Sequence, residues 1–356
     1  MPRKKLPNNH INKDTYNNHR NISLKELAAH LGLSITSLSL VLNNKPDADS
    51  IPQETKDRIF EAAEKFNYRP NYFARSLRAQ RSFTFGVIVP ELSDGYSAMV
   101  LNGVEAALAK EGYFYLTASH LHRDDLLKHN PQMLIERQVE GIIAVDTPIR
   151  FKTDLPVVTV SGHDTIEGVN NVILNHQHAA ELGVGHLFTL GHRKIAFIKG
   201  QDFSSDTEIR WETITEAAQK RGIKMDPNLI AQLEGDIPSP EIGYVATKKI
   251  LSNNKPFTAL FAFNDLSAIG AIRALQEIGL HVPEDVSVLG FDDIYAAAFH
   301  NQALTTIRQP LFEMGKLAAQ TLLKRLAQKD KINDIPPTLT AEPQLIVRNS
   351  TAPIKK

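Results

Sequence analysis

The 356-residue chain contains no cysteine, which excludes disulfide bonds, thiolate metal sites and cysteine nucleophiles together. It also lacks an apolar run long enough to span a bilayer, and its first twenty residues are polar and rich in asparagine, unlike a secretory signal. A Walker loop, a nucleophile elbow and an HExxH motif are missing as well. We therefore expect a soluble, cytoplasmic protein that is not an enzyme and has no metal, cofactor or membrane partner.

Charge is distributed unevenly along the chain, although the formal net charge is zero. The segment up to Arg81 carries fourteen basic and eight acidic residues, so it has a charge of +6 and the remainder has −6. Such an asymmetry indicates that the N-terminal end binds a polyanion, while a solvated charged face is the alternative. Because 42% of the residues are hydrophobic and the chain exceeds one average domain, we expect at least two folding units.

Residues 22–70 begin with the pattern of two short helices. Ser23 and Glu26 have the spacing of a capping box, which predicts a helix start at this point. Gly32 is expected to end that helix, and Ser34 to cap a second one. Two short helices around a glycine-containing turn are typical of a helix-turn-helix.

A third helix is predicted from Pro52 to about Phe66, which completes a three-helix bundle. If Leu38, Val41 and Leu42 pack inward, the opposite face of the second helix is free to enter a major groove. An ordinary surface of a protein-binding bundle is the alternative interpretation. The candidate DNA-contacting residues of this segment are Ser34, Ile35, Thr36, Ser37, Ser39, Leu40 and Asn43.

Residues 84–350 alternate short β-branched runs with amphipathic helical stretches, a pattern that predicts parallel sheets flanked by helices. The strand candidates are too many for one small sheet: 85–90, 113–118, 141–145, 157–161, 194–199, 259–263 and 286–291. We therefore predict an α/β fold in which a small all-α head precedes two Rossmann-like subdomains with a cleft between them. Ligands of such folds bind at the carboxyl ends of the strands.

Several motifs give this chain a specific resemblance to the LacI/GalR family of bacterial ligand-responsive transcription regulators. The N-terminal motifs are ISLKELAAHLGLSITSLSLVLN at residues 22–43 and YRPNYFARSLR at 68–78. The motifs of the large domain are LGHRKIA at 190–196, FNDLSA at 263–268, VPEDVSVLGFDD at 282–293 and LTTIRQ at 304–309. The similarity extends over almost the whole chain.

The resemblance implies a repressor that binds double-stranded operator DNA as a homodimer and responds to a small-molecule effector. Its large domain would be of the periplasmic-binding-protein type, with three crossings between lobes and with residues 310–335 returning to the first lobe. Residues 1–21 would then form a flexible basic arm, 22–70 the DNA-binding domain, 71–83 a hinge, 84–350 the effector-binding and dimerisation domain, and 351–356 a tail.

The hinge of this family folds into a helix on specific DNA, and the pair of helices from a dimer enters the minor groove. Leu77 stands at the position of the leucine that wedges between base pairs, and the other candidate hinge contacts are Asn71, Ala74 and Arg78. One departure concerns the recognition helix, where Leu40 replaces the usual arginine. Because Leu40 and Ile35 are apolar, they favour thymine methyl groups over guanine.

Six residues are candidates for binding the effector. Arg210, Asn264 and Asp292 match family positions that hydrogen-bond the ligand, whereas capping or structural pairing is the alternative. Tyr96, Ser161 and Asn175 fall at other positions that line the family's pocket. Polar side chains around an aromatic ring suit a sugar, and a nucleobase pocket remains open.

Other interpretations of the sequence are weaker. A solute-binding protein of an importer would share the large domain but would need export and no basic head, and an enzyme would need an acid–base or nucleophile constellation. His176, His178, His186 and His192 are close in sequence, yet no carboxylate-rich segment lies nearby, so we interpret them as surface histidines.

Overall fold

The computed structural model describes residues 22–43, 45–69, 76–77, 79–93, 95–235, 238–327 and 335–354. The chain divides into two compact units, Met1–Arg81 and Ser82–Lys356. The predicted arm of residues 1–21 and the hinge positions Asn71, Ala74 and Arg78 lie outside the described residues. Across the described ranges, no helix is both long and apolar enough to cross a membrane.

The N-terminal unit contains the three predicted helices, α1 (Leu24–Leu31), α2 (Ile35–Leu42) and α3 (Gln53–Lys65). The backbone N of Glu26 donates to Oγ of Ser23 at 3.2 Å, and the backbone N of Ser23 donates to Oε2 of Glu26 at 2.8 Å, so the capping box is formed. Gly32 ends α1 with φ at 67°, a left-handed conformation that glycine adopts without strain. A short 3₁₀ helix, Pro46–Ser50, precedes α3.

Leu27, Leu38 and Ile59 come from the three different helices and are fully buried together. The expected division of α2 into inward and outward residues is only partly correct. Leu40, predicted to face outward, is half-buried against this core, and Leu42, predicted to face inward, is half-buried as well. A leucine side chain is long enough to reach the edge of the core from a flanking position, so it gains burial there.

The larger unit contains two six-stranded sheets. The first lobe is built on the all-parallel order β11-β5-β4-β3-β1-β2. Its strands are β1 (Thr84–Val89), β2 (Phe114–Ser119), β3 (Ile142–Val145), β4 (Val157–Val160), β5 (Val169–Leu174) and β11 (Thr338–Ala341). Its helices are α4 (Gly95–Lys110), α5 (Asp124–Glu136) and α11 (Leu311–Ala327).

The second lobe has the order β12-β10-β9-β8-β6-β7, in which only β12 runs antiparallel to its neighbour. Its strands are β6 (Ile195–Lys199), β7 (Ile230–Gln232), β8 (Ala259–Phe261), β9 (Ser287–Asp292), β10 (Thr305–Arg308) and β12 (Gln344–Ile346). Its helices are α6 (His176–Thr189), α7 (Asp206–Lys220), α8 (Pro240–Ser252), α9 (Asp265–Glu277) and α10 (Tyr295–Phe299). A 3₁₀ helix, Pro227–Leu229, precedes β7.

The chain crosses between the lobes three times, after β5, after β10 and after β11. The second crossing brings α11 back to the first lobe, where it packs against α4 and β4. This confirms the two Rossmann-like subdomains, and of the predicted return of residues 310–335 it confirms the described part, Leu311–Ala327. Three connections side by side leave the carboxyl ends of both sheets facing one cleft, which is where we expect a ligand.

Glycines allow one close helix contact in each lobe. A methyl group on Gly103 of α4 would overlap the carbonyl oxygen of Phe312 in α11. In the second lobe a methyl group on Gly270 of α9 would overlap the carbonyl oxygen of Pro240 in α8. Both helix pairs therefore pack backbone against backbone, which holds each lobe together as a rigid unit.

Candidate functional site

The first turn of α2 is the exposed part of the predicted DNA-contacting surface. Ser34, Ile35 and Thr36 are exposed, and Oγ of Ser34 accepts from the backbone N of Ser37 at 3.0 Å, so it caps the helix. At the other end Asn43 is exposed, and its Nδ2 donates to the carbonyl oxygen of Ser39 at 2.7 Å.

The remaining candidates on α2 are less accessible. Ser37, Ser39 and Leu40 are half-buried. The exposed N-terminal turn is therefore the part of α2 best able to reach base edges, as in helix-turn-helix proteins that read the major groove.

Leu77 is the one predicted hinge contact that the described residues include. Its side chain is 81% exposed. A large apolar side chain without cover is costly in water, and insertion into a base step would provide that cover.

The cleft of the larger unit contains a small cavity of about 60 Å³. Four of the six predicted effector residues line it: Tyr96, Arg210, Asn264 and Asp292. These residues come from α4, α7 and the ends of β8 and β9, so both lobes contribute. The cavity lies where parallel sheets of this type bind their ligands.

Arg210 is buried and held on several sides. Its Nη2 donates to Oδ2 of Asp206 at 2.8 Å, and its Nη1 donates to the carbonyl oxygen of Phe263 at 2.7 Å. The guanidinium carbon lies 3.8 Å from the ring centroid of Phe291. Its Nε has no hydrogen-bond partner within the described part of the chain. A donor held in this way is positioned before a ligand arrives.

Asp292 ends β9 with φ at 103°, an unusual backbone conformation for a residue with a side chain. Its Oδ1 accepts from Nε2 of Gln309 at 2.6 Å. The next residue, Asp293, is anchored by Arg348 at 2.6 Å and by Arg308 at 2.7 Å. Local strain of this kind concentrates at functional sites and costs about 1–3 kcal/mol.

Asn264 and Tyr96 combine structural contacts with a place on the cavity wall. Oδ1 of Asn264 accepts from the backbone N of Ser267 at 2.9 Å, so Asn264 does cap α9, as the alternative interpretation held. The hydroxyl oxygens of Tyr96 and Ser161 are 2.7 Å apart. Burial, followed by the charges of Asp206 and Asp146, raises the pKa of Tyr96 well above its usual range. The tyrosine hydroxyl is therefore neutral and able to donate.

Ser161 and Asn175 are not brought to the cavity wall. Ser161 is buried behind Tyr96. Asn175 caps α6, where its Oδ1 accepts from the backbone N of His178 and its Nδ2 donates to Glu342. Their predicted contact with the effector stays a prediction.

A second cavity of about 360 Å³ adjoins the first. The two share the residues His122, Asp146, Phe203 and Ser204 in their walls. None of these four residues was predicted from the sequence. Asp146 could have been found, because it directly follows a predicted strand, as Asn264 and Asp292 do.

The interpretation of the clustered histidines as surface residues is wrong for His176 and His192, which are buried. For His176 a carboxylate is supplied by Asp206, which is distant in sequence and whose Oδ1 lies 3.3 Å from Nε2 of His176. The same oxygen lies 2.7 Å from Nε2 of His163. His178 is exposed, as expected, and His186 is half-buried.

Two family models match the sequence. The model for bacterial regulatory proteins of the lacI family matches residues 23–71, and the model for the periplasmic binding protein-like domain matches residues 184–351. The HTH-type transcriptional repressor PurR of Haemophilus influenzae is 31% identical over 342 residues, which cover 93% of this chain and 99% of the relative. The chain belongs to the lacI family of bacterial regulatory proteins.

Solved structures place this lacI-family regulator in the same fold. The lac repressor dimer bound to operator and the anti-inducer ONPF is 25% identical to this chain, with a TM-score of 0.81. The match covers 94% of this chain and 100% of the lac repressor chain. A lacI-family regulator from Enterococcus faecium with bound ribose is 26% identical, with a TM-score of 0.65. The match covers 76% of this chain and 100% of the Enterococcus faecium chain. The protein is thus a DNA-binding transcription regulator of the lacI family.

Proposed function

We propose that this protein is a homodimeric repressor whose affinity for a symmetric operator is set by a small polar effector bound between the two lobes. The observation that carries the proposal is the convergence of Tyr96, Arg210, Asn264 and Asp292 on one cavity in the cleft. An effector held there contacts both lobes and shifts the equilibrium between their arrangements. Linkage then couples effector binding to operator binding.

The exposed first turn of α2 is proposed to read the operator in the major groove. Ile35 is apolar and 45% exposed, so it suits the methyl group of thymine. Leu40 stands in place of the arginine usual in the family, and this exchange removes a donor for guanine. The operator therefore differs from the sites of arginine-bearing relatives at that base pair.

A sugar is the first candidate effector. Asp146 and Asp292 provide acceptors, Arg210 provides donors, and sugar hydroxyls can pair with both kinds of group. The ribose-bound relative has the same fold and an identity of 26%. A purine base is the second candidate, favoured by the relatives named PurR and by the aromatic rings of Tyr96 and Phe263 in the wall.

Two exposed apolar residues on an edge strand favour a homodimer. Phe114 and Leu116 of β2 are 68% and 39% exposed, and β2 is the outermost strand of the first sheet. An exposed edge strand with apolar side chains is a surface that tends to associate with another protein chain. The solved structure of the lac repressor is a dimer, which makes a second copy of this chain the occupant that we propose.

A two-part experiment tests the proposal. The purified protein is first used to select binding sites from random DNA, where a dimer with two recognition helices should select a palindrome of roughly 14–20 base pairs. The protein is then screened for thermal stabilisation by sugars and purine bases, since a ligand at one hundred times its dissociation constant adds about 2.7 kcal/mol. Selection of no symmetric motif, or no change in operator affinity with a stabilising ligand, contradicts it.

A further inference from the structure

Three side chains that can ligate a metal ion meet at the back of the cleft. One ligand atom each from His163, His176 and Asp206 lie within 4.8 Å of one another. The two imidazole Nε2 atoms face the same carboxylate oxygen, Oδ1 of Asp206, at 2.7 Å and 3.3 Å. Ligand atoms stand about 2.0–2.2 Å from a zinc ion, so in a tetrahedral site they are about 3.3 Å from one another. The His176 contact already has this length, and His163 and Asp206 would have to separate slightly to admit the ion.

The state of His176 points to a missing partner. Its side chain is 4% exposed, and the described residues offer its Nδ1 no hydrogen-bond partner, while its Nε2 has only the 3.3 Å contact with Oδ1 of Asp206, which falls short of hydrogen-bond geometry. Buried imidazole nitrogens are almost always paired, so this exception needs an explanation.

The two carboxylate oxygens of Asp206 face different partners, and Oδ1 is shared with His163 and His176. Its Oδ2 accepts from Nη2 of Arg210 at 2.8 Å, whereas Oδ1 faces the two histidines. The carboxylate is paired with the guanidinium of Arg210, and it is the group in the cluster that can supply negative charge to a divalent cation.

An ion can reach this cluster from solvent. The side chain of His163 is 22% exposed and lines the second cavity of about 360 Å³. His163 follows β4 in the first lobe, whereas His176 begins α6 and Asp206 begins α7 in the second. An ion bound to all three side chains would join the lobes directly.

We propose that His163, His176 and Asp206 form a site for a divalent transition-metal ion, with Zn²⁺ as the best match, that joins the two lobes. Two imidazoles and one carboxylate are a ligand set suited to zinc, and a fourth position is left for water or for a ligand in the cleft. Magnesium and calcium prefer oxygen ligands and fit this set poorly. The ion would stabilise the arrangement of lobes in which the three side chains meet.

Zinc titration of the full-length, chelator-treated protein tests the site, without effector or DNA. Calorimetry with ZnCl₂ should show one ion per chain, and the same titration with MgCl₂ should show none. His163→Gln and His176→Gln should each weaken zinc binding at least about 100-fold, since even loss of an outer-shell partner costs about 10–100-fold. His163→Gln is the safer of the two variants for folding, because His163 is partly exposed.

The matched control is His281→Gln. Nδ1 of His281 lies 3.2 Å from Oδ2 of Asp285 in an exposed pair with side-chain exposures of 77% and 40%, so it tests a histidine–carboxylate pair outside the cluster. Zinc should bind this variant as it binds the parent, and it should raise the melting temperature of both but not that of His163→Gln. No zinc binding by the parent, or undiminished binding by both cluster variants, overturns the proposal. Because neither readout uses effector or operator, either result leaves the proposed function standing.

Discussion

Ser205 donates two hydrogen bonds across the cleft to one oxygen of Asp146, from its backbone N at 2.9 Å and from its Oγ at 2.6 Å. Asp146 directly follows β3 in the first lobe, and Ser205 precedes α7 in the second. Asp146 also lies in the walls of both cavities. One of the contacts between the lobes is therefore adjacent to the space proposed for the effector, so an effector that competes for Asp146 would act on the arrangement of the lobes directly.

The first prediction concerns the pH dependence of stability through Asp146. Burial, followed by the charge of Asp206, raises the pKa of Asp146 from 3.8 to about 6. Between these values the folded protein binds a proton that the unfolded chain does not, so this group makes stability rise as pH falls. At about pH 7.5 the ionised carboxylate costs up to about 3 kcal/mol, and Asp146→Asn should be more stable than the parent.

Urea unfolding of the parent and of Asp146→Asn across a pH series checks this prediction. The advantage of the variant should shrink as pH falls through about 6 and be nearly absent at about pH 4. Taking the difference between the two proteins cancels the titration of other groups. A difference that stays constant over this range would show that Asp146 has an ordinary pKa.

The second prediction concerns effector affinity. Asp292→Asn keeps a residue type that tolerates the positive φ of this position but removes the charged acceptor from the cavity. Loss of a charge-assisted hydrogen bond costs about 1.5–3 kcal/mol, so the affinity for the stabilising ligand should fall about 10- to 100-fold. Asp226→Asn, at an exposed 3₁₀ helix cap outside both cavities, is the control. Equal affinities by calorimetry for Asp292→Asn and the control would remove Asp292 from the site.

Much of the fold could be predicted because the central strands are apolar runs that are recognisable in the sequence itself. The runs at 141–145 and 157–161 are apolar, and both became buried strands, β3 and β4. Others were missed. The strands β7 and β12 have three residues each and include a glutamine, so they are stabilised by pairing with a neighbour rather than by their own pattern.

The candidate site divides in the same way. Asn264 and Asp292 were predictable because each directly follows an apolar run, and the end of a strand points to the cleft. The cluster around Asp206 was not predictable from local pattern, because His163 and Asp206 are 43 positions apart and belong to different lobes. Local sequence also could not show that Asn175 caps α6 beside Glu342 rather than lining the cavity.

The third prediction concerns the helix contact in the second lobe. Gly270→Ala places a methyl group against the carbonyl oxygen of Pro240, so α8 and α9 must separate. Such overpacking should destabilise the protein by about 1–3 kcal/mol or more. Gly112→Ala is the control: its φ is +71° but no atom lies within 4 Å of the new methyl group, so its cost of about 1–2 kcal/mol is backbone strain alone. Denaturant midpoints check both, and a smaller loss for Gly270→Ala than for Gly112→Ala would contradict close helix packing.

The fourth prediction concerns the proposed dimer. Leu116→Lys puts a charge on the exposed apolar face of β2 and should weaken dimerisation about tenfold or more, because the charge would be buried in the interface. Thr117→Lys adds the same charge to the opposite face of the same strand and serves as control. Sedimentation over a concentration series measures both. Unchanged dimerisation of Leu116→Lys would place the interface elsewhere.

The fifth prediction isolates the hinge through Leu77, whose side chain is 81% exposed. If Leu77 is a minor-groove wedge, Leu77→Ala keeps helix propensity and every basic residue but loses the apolar group that fills the opened base step. Affinity for the operator should then fall by about 1–3 kcal/mol, while binding to scrambled DNA and its salt slope, which report phosphate contacts, stay close to those of the parent.

Arg78→Ala provides the opposite case, because removing one phosphate contact should reduce the salt slope by about one and weaken binding to both DNAs alike. Operator and scrambled DNA are titrated with each variant across a salt series, so that the two effects separate. Loss of the arginine weakens binding to DNA of any sequence, because the phosphates are the same in every sequence. Loss of the leucine weakens binding only to DNA that is kinked at the inserted base step. If Leu77→Ala lost the same affinity for operator and for scrambled DNA, the leucine would pack within a linker and would not insert into a kinked base step of the operator.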